Sequence, residues 1–134
     1  NRLIPEFIIS NLKNKEFKIK SNGKLVRDYL YIDDAVNAYY LTMKVLLNKK
    51  ENLRIYNVGS KYNLKVIEMI KKISFLLKKD IKLKIINNSK KEISSQKLNY
   101  KKISKELKWK QKVNLDVGLQ RTVEWYRKYI NFFS

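Results

Sequence analysis

Apolar residues in this chain change their spacing again and again, from every third or fourth position to every second and back. That alternation restricts the fold more than any other feature. Residues 5–13 read as a short helix entered through the single proline, Pro5, whose missing N–H is tolerated in a first turn. The stretch "EFKIK" (16–20) alternates as a strand, "SNGK" is a turn in which Gly23 supplies a positive φ, and "RDYLYI" (27–32) is a β-favouring aromatic run. Asp33 or Asp34 then caps a helix with Val36, Tyr39, Tyr40, Met43, Leu46 and Leu47 at helical spacing, which predicts that they form its buried face. A strand over 53–60 leads to a helix capped by Asn63 and carrying Val66, Ile67, Ile70, Ile73 and Leu77. Next come a strand at 81–86, a polar stretch at 87–96, a short helix near 100–107 and a long one from 114 to 130. The long helix has Leu115, Leu119, Val123, Tyr126 and Ile130 on one side. The order predicts an α/β unit without internal repeat or linker, and 134 residues suffice for one modest core.

The formal charge of +19 raises the question of nucleic-acid binding. The basic residues are nearly all lysine, however, with arginine only at positions 2, 27, 54, 121 and 127, and planar phosphate or base recognition favours arginine. They are spread along the whole chain among many Asn and Ile, the residues that A/T-rich codons encode. Base composition therefore accounts for the charge better than a nucleic-acid ligand does, and nucleic acid is kept only as an alternative partner.

Neither cysteine nor histidine is present. Thiolate chemistry, Cys/His zinc sites, a histidine base and disulfides are thereby excluded within these residues. No apolar run approaches the roughly 18 residues that cross a bilayer, and "NRLIPEFIIS" is not a secretory leader, so a soluble, cytoplasmic location is expected. The glycosylation-like "NNS" at 87–89 carries no weight without secretion.

Asp28, Asp33 and Asp34 are the carboxylates with spacing closest to paired acid–base or metal chemistry, but helix capping explains the last two, and all three read as scaffold. Arg27 opens a strand just after a glycine turn, and so sits near a strand end, where ligands of α/β proteins gather. Arg2 precedes a helix whose first N–H groups favour an anion, so Arg2 and Arg27 are the candidates for holding a diphosphate. The three glycines, Gly23, Gly59 and Gly118, form no dinucleotide fingerprint. Tyr40 and Lys44 have a Tyr-x-x-x-Lys spacing on the face read as core, and no residue here is assigned catalysis.

"RLIP" (2–5), "SNGKLVRDYLYIDDAVNAY" (21–39), "IYNVGS" (55–60) and "EISSQKLNYKKISKELKWKQKVNLDVGLQRTVEWYRKYI" (92–130) together resemble the C-terminal half of an extended short-chain dehydrogenase/reductase. The family is that of NAD-dependent nucleotide-sugar epimerases and dehydratases. The pattern looks closest to 4,6-dehydratases of the CDP-glucose type, and 4-epimerases share much of it. The resemblance implies an α/β, Rossmann-type enzyme whose cofactor domain, with NAD and a Ser/Thr-Tyr-Lys set, precedes Asn1. These residues would be its nucleotide-sugar-binding portion, inactive alone and partnered by an N-terminal Rossmann half, with the complete enzyme a homodimer.

Carried over by position, the resemblance implies that Arg2 and Leu3 face the diphosphate, Leu3 through its backbone. It further implies that Lys18 and Lys20 lie on the strand lining the base and that Arg27 clamps the diphosphate. Two segments depart from the family's pattern. "NSKKEIS" (88–94) stands where relatives carry Arg-Pro-Gly-Asp, leaving Lys90 or Lys91 as the substitute cation. "LKWKQ" (107–111) replaces the glycine and proline of Leu-Gly-Trp-x-Pro.

Overall fold

A computed structural model describes residues 2–48, 55–80, 82–88 and 92–133. Helix α1 spans Leu3–Leu12, strands β1 and β2 are Phe17–Ile19 and Val26–Asp28, and helix α2 is Ile32–Leu47. Strand β3 (Asn63–Lys65) runs directly into α3 (Val66–Leu77), and β4 (Leu83–Ile85), α4 (Lys101–Leu107), α5 (Leu115–Lys128) and a closing 3-10 turn (Ile130–Phe132) follow. The expected α/β alternation is present, with Gly23 at φ +77° in the turn before β2.

Among the described residues, four short strands form two ladders. β1 pairs parallel with β4, Phe17 opposite Leu83 and Ile19 opposite Ile85. β2 pairs antiparallel with β3, Val26 opposite Lys65 and Asp28 opposite Asn63. Phe17 and Ile19 turn inward while Lys18 stays exposed, the alternation that a one-sided strand requires. Their inner face meets the main core, where α1, α3 and α5 pack around Phe7, Ile8, Met69, Ile70, Ile73, Leu119 and Val123. Phe7 and Phe17 meet edge to face with ring centres 5.1 Å apart. A second, smaller cluster joins Ala38 of α2 to Ile103 of α4 and to Trp109, and burying an aromatic of that size stabilises the junction by about 3 kcal/mol.

Three expectations are corrected. Asp33 and Asp34 are the second and third residues of α2, whose N-cap is Tyr31. Asn63 lies in β3, and α3 starts from Lys65, whose N–H donates to Glu68 Oε2 at 2.8 Å. The predicted buried face of α2 is its exposed one: Val36, Tyr39, Tyr40, Met43, Leu46 and Leu47 are all exposed, and Asp34, Ala38 and Leu41 face inward. Both sides of this helix are largely apolar, so periodicity alone could not choose between them. Residues 53 and 54 of the expected third strand, and residue 81 of the fourth, lie outside the described residues. Residues 55–60 are described but belong to neither ladder.

The "LKWKQ" departure has a local cost. Lys108 ends α4 at φ +56°, a left-handed conformation in which a Cβ is strained. Lys108→Gly is expected to stabilise the chain by about 0.5–1 kcal/mol, less than the full strain because glycine also frees the unfolded chain. Thermal unfolding checks this against Lys105→Gly, which sits inside α4 and should lower the midpoint.

Candidate functional site

The β2–α2 junction is where the chain concentrates its buried polar contacts. Asp28, at the end of β2, accepts hydrogen bonds from the Ser60 N–H (2.8 Å) and the Leu98 N–H (3.2 Å), drawing two distant segments onto the strand. Asp34, 2% exposed, accepts from the Lys112 and Val113 N–H groups at 2.8 and 3.0 Å. The indole N–H of Trp109 donates to the Asp34 carbonyl at 3.0 Å. Asp33 is a surface residue paired with Arg121 at 3.4 Å. Asp28 and Asp34 thus act as structural staples, and Asp33 does not join them.

Between the start of α1, this junction and the first turn of α5 lies a cavity of ≈ 400 Å³. Arg2, Leu3, Asp28, Tyr29, Tyr31, Gln111 and Thr122 are among the residues that line it. The Tyr29 hydroxyl is buried with no hydrogen-bond partner among the described residues. Burial raises its pKa, and the nearby Arg27 charge offsets part of the rise. Gln111, which stands at the family's proline position, accepts from Ser60 Oγ (3.2 Å) and the Lys61 N–H (3.1 Å) and donates to the Val113 carbonyl. Neither Tyr29 nor Gln111 was legible as a lining residue, because each acquires its role from segments tens of positions away.

Of the sequence-predicted site residues, Arg2 and Leu3 line the cavity. Arg27 projects elsewhere, as its opposite strand parity from Asp28 dictates. Its guanidinium donates to the Val26 and Ile93 carbonyls (2.9 and 2.8 Å) and pairs with Glu92 at 3.2 Å. Lys18 and Lys20 are exposed on and just after β1, with Lys18 3.9 Å from Glu16. Lys90 and Lys91 lie outside the described residues. One polar segment links these places: the Asn88 N–H bonds to the Lys20 carbonyl, Ser94 and Gln96 bond to Val26, and Leu98 bonds to Asp28.

Two of the three glycines offer a dinucleotide's phosphates no cradle. A Cβ on Gly59 would meet Leu98 at 2.7 Å and one on Gly118 would meet the Tyr31 ring at 2.9 Å, so both glycines are already filled by side chains and neither opens a phosphate cradle.

Residues 1–59 match the profile of the NAD dependent epimerase/dehydratase family. A trifunctional UDP-glucose 4,6-dehydratase/UDP-4-keto-6-deoxy-D-glucose 3,5-epimerase/UDP-4-keto-L-rhamnose-reductase of Arabidopsis thaliana is 33% identical over 132 residues, covering 93% of this chain and 18% of that protein. The likeness to epimerases and dehydratases runs over nearly the whole chain. Among solved members, a UDP-glucose 4-epimerase of Thermotoga maritima with UDP-glucose superimposes with a TM-score of 0.86 at 29% identity, over 96% of this chain and 40% of that one. DesIV, a dTDP-glucose 4,6-dehydratase of Streptomyces venezuelae with NAD bound, gives 0.87 at 26% identity, over 98% and 40%. The fold is that of an extended short-chain dehydrogenase/reductase, and this chain spans about two fifths of those solved members. No helix among the described residues is long and apolar enough to cross a membrane.

Burial raises the pKa of Asp28, while the hydrogen bonds from Leu98 and Ser60 work in the opposite direction. A raised folded value means that the folded chain binds this proton more tightly than the unfolded one. Its contribution to stability is complete below the ordinary carboxylate pKa and is lost as pH rises through the folded value. Asp28→Asn keeps one acceptor and is expected to cost about 1 kcal/mol at neutral pH. The deficit should widen as pH falls through the range just above the ordinary carboxylate pKa, read by denaturant unfolding of both proteins across that range.

Proposed function

We propose that these residues are the nucleotide-sugar-binding portion of a nucleotide-sugar 4,6-dehydratase, with NAD and the catalytic groups held by a part of the enzyme outside them. The observation that carries the reading is the cavity at the N-terminus of α1. It joins Arg2 and the first helical N–H groups, which suit an anion, to a largely apolar wall with a buried tyrosine hydroxyl in reserve. Arg27 lies outside this cavity and is paired with Glu92, so it becomes the second cation only when a diphosphate displaces Glu92 and draws the guanidinium toward Arg2, and the resemblance assigns Lys18 and Lys20 to the base. A 4-epimerase is the second reading, favoured by the superposition on the Thermotoga maritima enzyme. The two reactions diverge in groups that these residues do not supply. UDP-glucose and dTDP-glucose, which appear in the relatives' names, are the substrates to try before CDP-glucose.

Calorimetric titration with the three nucleotide sugars tests the reading, using the chain joined to the remainder of a family member. Arg27→Ala is expected to weaken binding about tenfold to a hundredfold, the worth of a charge-assisted contact. Glu92→Gln should strengthen it by removing the competing carboxylate. Unchanged affinity in both variants would sink the clamp, and tight binding of nucleic acid at physiological salt in place of any nucleotide sugar would move the function to another class.

A further inference from the structure

The side-chain amide of Gln111 is fixed in direction by bonds that admit one assignment. Its Oε1 faces the Lys61 N–H at 3.1 Å, which can only donate, and its Nε2 faces the Val113 carbonyl at 3.2 Å, which can only accept. Oε1 also meets Ser60 Oγ at 3.2 Å. Ser60 is 2% exposed, and its oxygen already accepts from the Tyr62 N–H at 2.9 Å, so its own proton goes to Gln111. Both lone pairs of Oε1 are thereby used. Nε2 carries two protons, and the second has no acceptor among the described residues.

Gln111 lines the cavity of ≈ 400 Å³, and so does Asp28. Ser60 joins the two, because its N–H donates to Asp28 Oδ1 at 2.8 Å while its hydroxyl holds Gln111. On the other side Gln111 reaches Val113, whose N–H donates to Asp34 Oδ2 at 3.0 Å. One chain of hydrogen bonds therefore runs from Asp28 to Asp34 through Gln111 and locks the amide in place. A fixed N–H donor and a carboxylate acceptor linked through one serine match a hydroxyl group, which accepts from the first and donates to the second. They do not match a phosphate, which has no proton to give Asp28 and is repelled by its charge. The cation of the cavity, Arg2, belongs to the start of α1 instead. The donor comes from the "LKWKQ" segment, since a proline at its last position has no side-chain N–H.

We infer that Gln111 and Asp28 form a hydroxyl-reading subsite of the cavity, with Gln111 the residue that favours a sugar-bearing ligand over the nucleoside diphosphate alone. The Gln111 N–H donates to a sugar hydroxyl oxygen, and that hydroxyl or its neighbour on the ring donates to Asp28. The inference rests on the proposed function in seating a nucleotide sugar in this cavity, and adds which groups read the sugar.

The chain joined to the remainder of a family member is titrated calorimetrically with UDP-glucose and with UDP. Gln111→Met keeps the side chain's length and removes its polar atoms. It is expected to weaken UDP-glucose about tenfold and to leave UDP unchanged. Gln111→Glu keeps the oxygen bonded to Ser60 and Lys61 and turns the donor into an acceptor, and the same selective loss is expected. A residue that merely braced the wall would weaken both ligands alike, so equal losses, or none, would overturn the inference. A further measurement uses the unmodified protein and UDP-glucose analogues in which one sugar hydroxyl at a time is replaced by hydrogen. At least one analogue is expected to bind about tenfold more weakly, with that penalty lost in the Gln111 variants. Uniform affinity across the set would sink the subsite even if neither variant folds. Unmodified protein that binds UDP and UDP-glucose equally would also remove the subsite while leaving a nucleotide site standing, whereas binding of neither ligand would defeat the proposed function and the inference together.

Discussion

The carboxylate of Asp34 ties together two distant parts of the chain: the strand-to-helix junction that borders the cavity, and the segment that introduces α5. With its side chain sealed from water, it accepts two backbone N–H bonds from Lys112 and Val113, while its own carbonyl takes the Trp109 indole N–H. Hydrogen bonds to a charged group are worth roughly 1.5–3 kcal/mol each, and its loss would release both backbone donors. Trp109 then seats in the second cluster, α4 is held against α2, and Leu119 and Val123 of α5 reach the main core. Asp28 repeats the device on β2, gathering Ser60 and Leu98. The cavity has its walls because these two carboxylates hold segments that no strand ladder connects.

Charge is distributed in a way that separates solubility from recognition. Most lysines are exposed, and the ion pairs they make, such as Lys72 with Asp116 at 2.8 Å, sit on the surface, where each contributes little. Two of the arginines are used differently. Arg27 is held by two carbonyls and Glu92, and Arg127 donates to the Leu76 and Leu77 carbonyls at the end of α3. A planar fork that satisfies several acceptors at once suits those places, and a lysine at either would lose that geometry.

Much of the scaffold could be read from local pattern. The spacing of Val66, Ile70, Ile73 and Leu77 located α3 and its buried side, and Leu119 and Val123 did the same for α5, because each helix has one apolar face against a polar one. Capping residues were misread where a carboxylate or amide beside a helix start had a better partner elsewhere: Asp34 reaches across to Lys112 and Val113, and Asn63 is taken up by β3. Arg2 stood out from its place before a helix and Leu3 from the family resemblance, and both line the cavity, whereas Tyr29 and Gln111 became lining residues only through contacts across the fold.

By itself, the sequence determined the order of helices and strands, the lysine-rich surface, the lack of thiol and imidazole chemistry, and the ordered motifs that mark the family. Those properties follow from residue type and near-neighbour spacing, which act over a few positions of chain. Tertiary structure alone decided which face of α2 is covered, that Arg27 meets Glu92 while Arg2 opens onto the cavity, and that Asp28 and Asp34 serve as staples. Those outcomes depend on which distant backbone donors arrive at a carboxylate and which surfaces meet, and an apolar helix carries no record of its neighbour until the chain has folded around it.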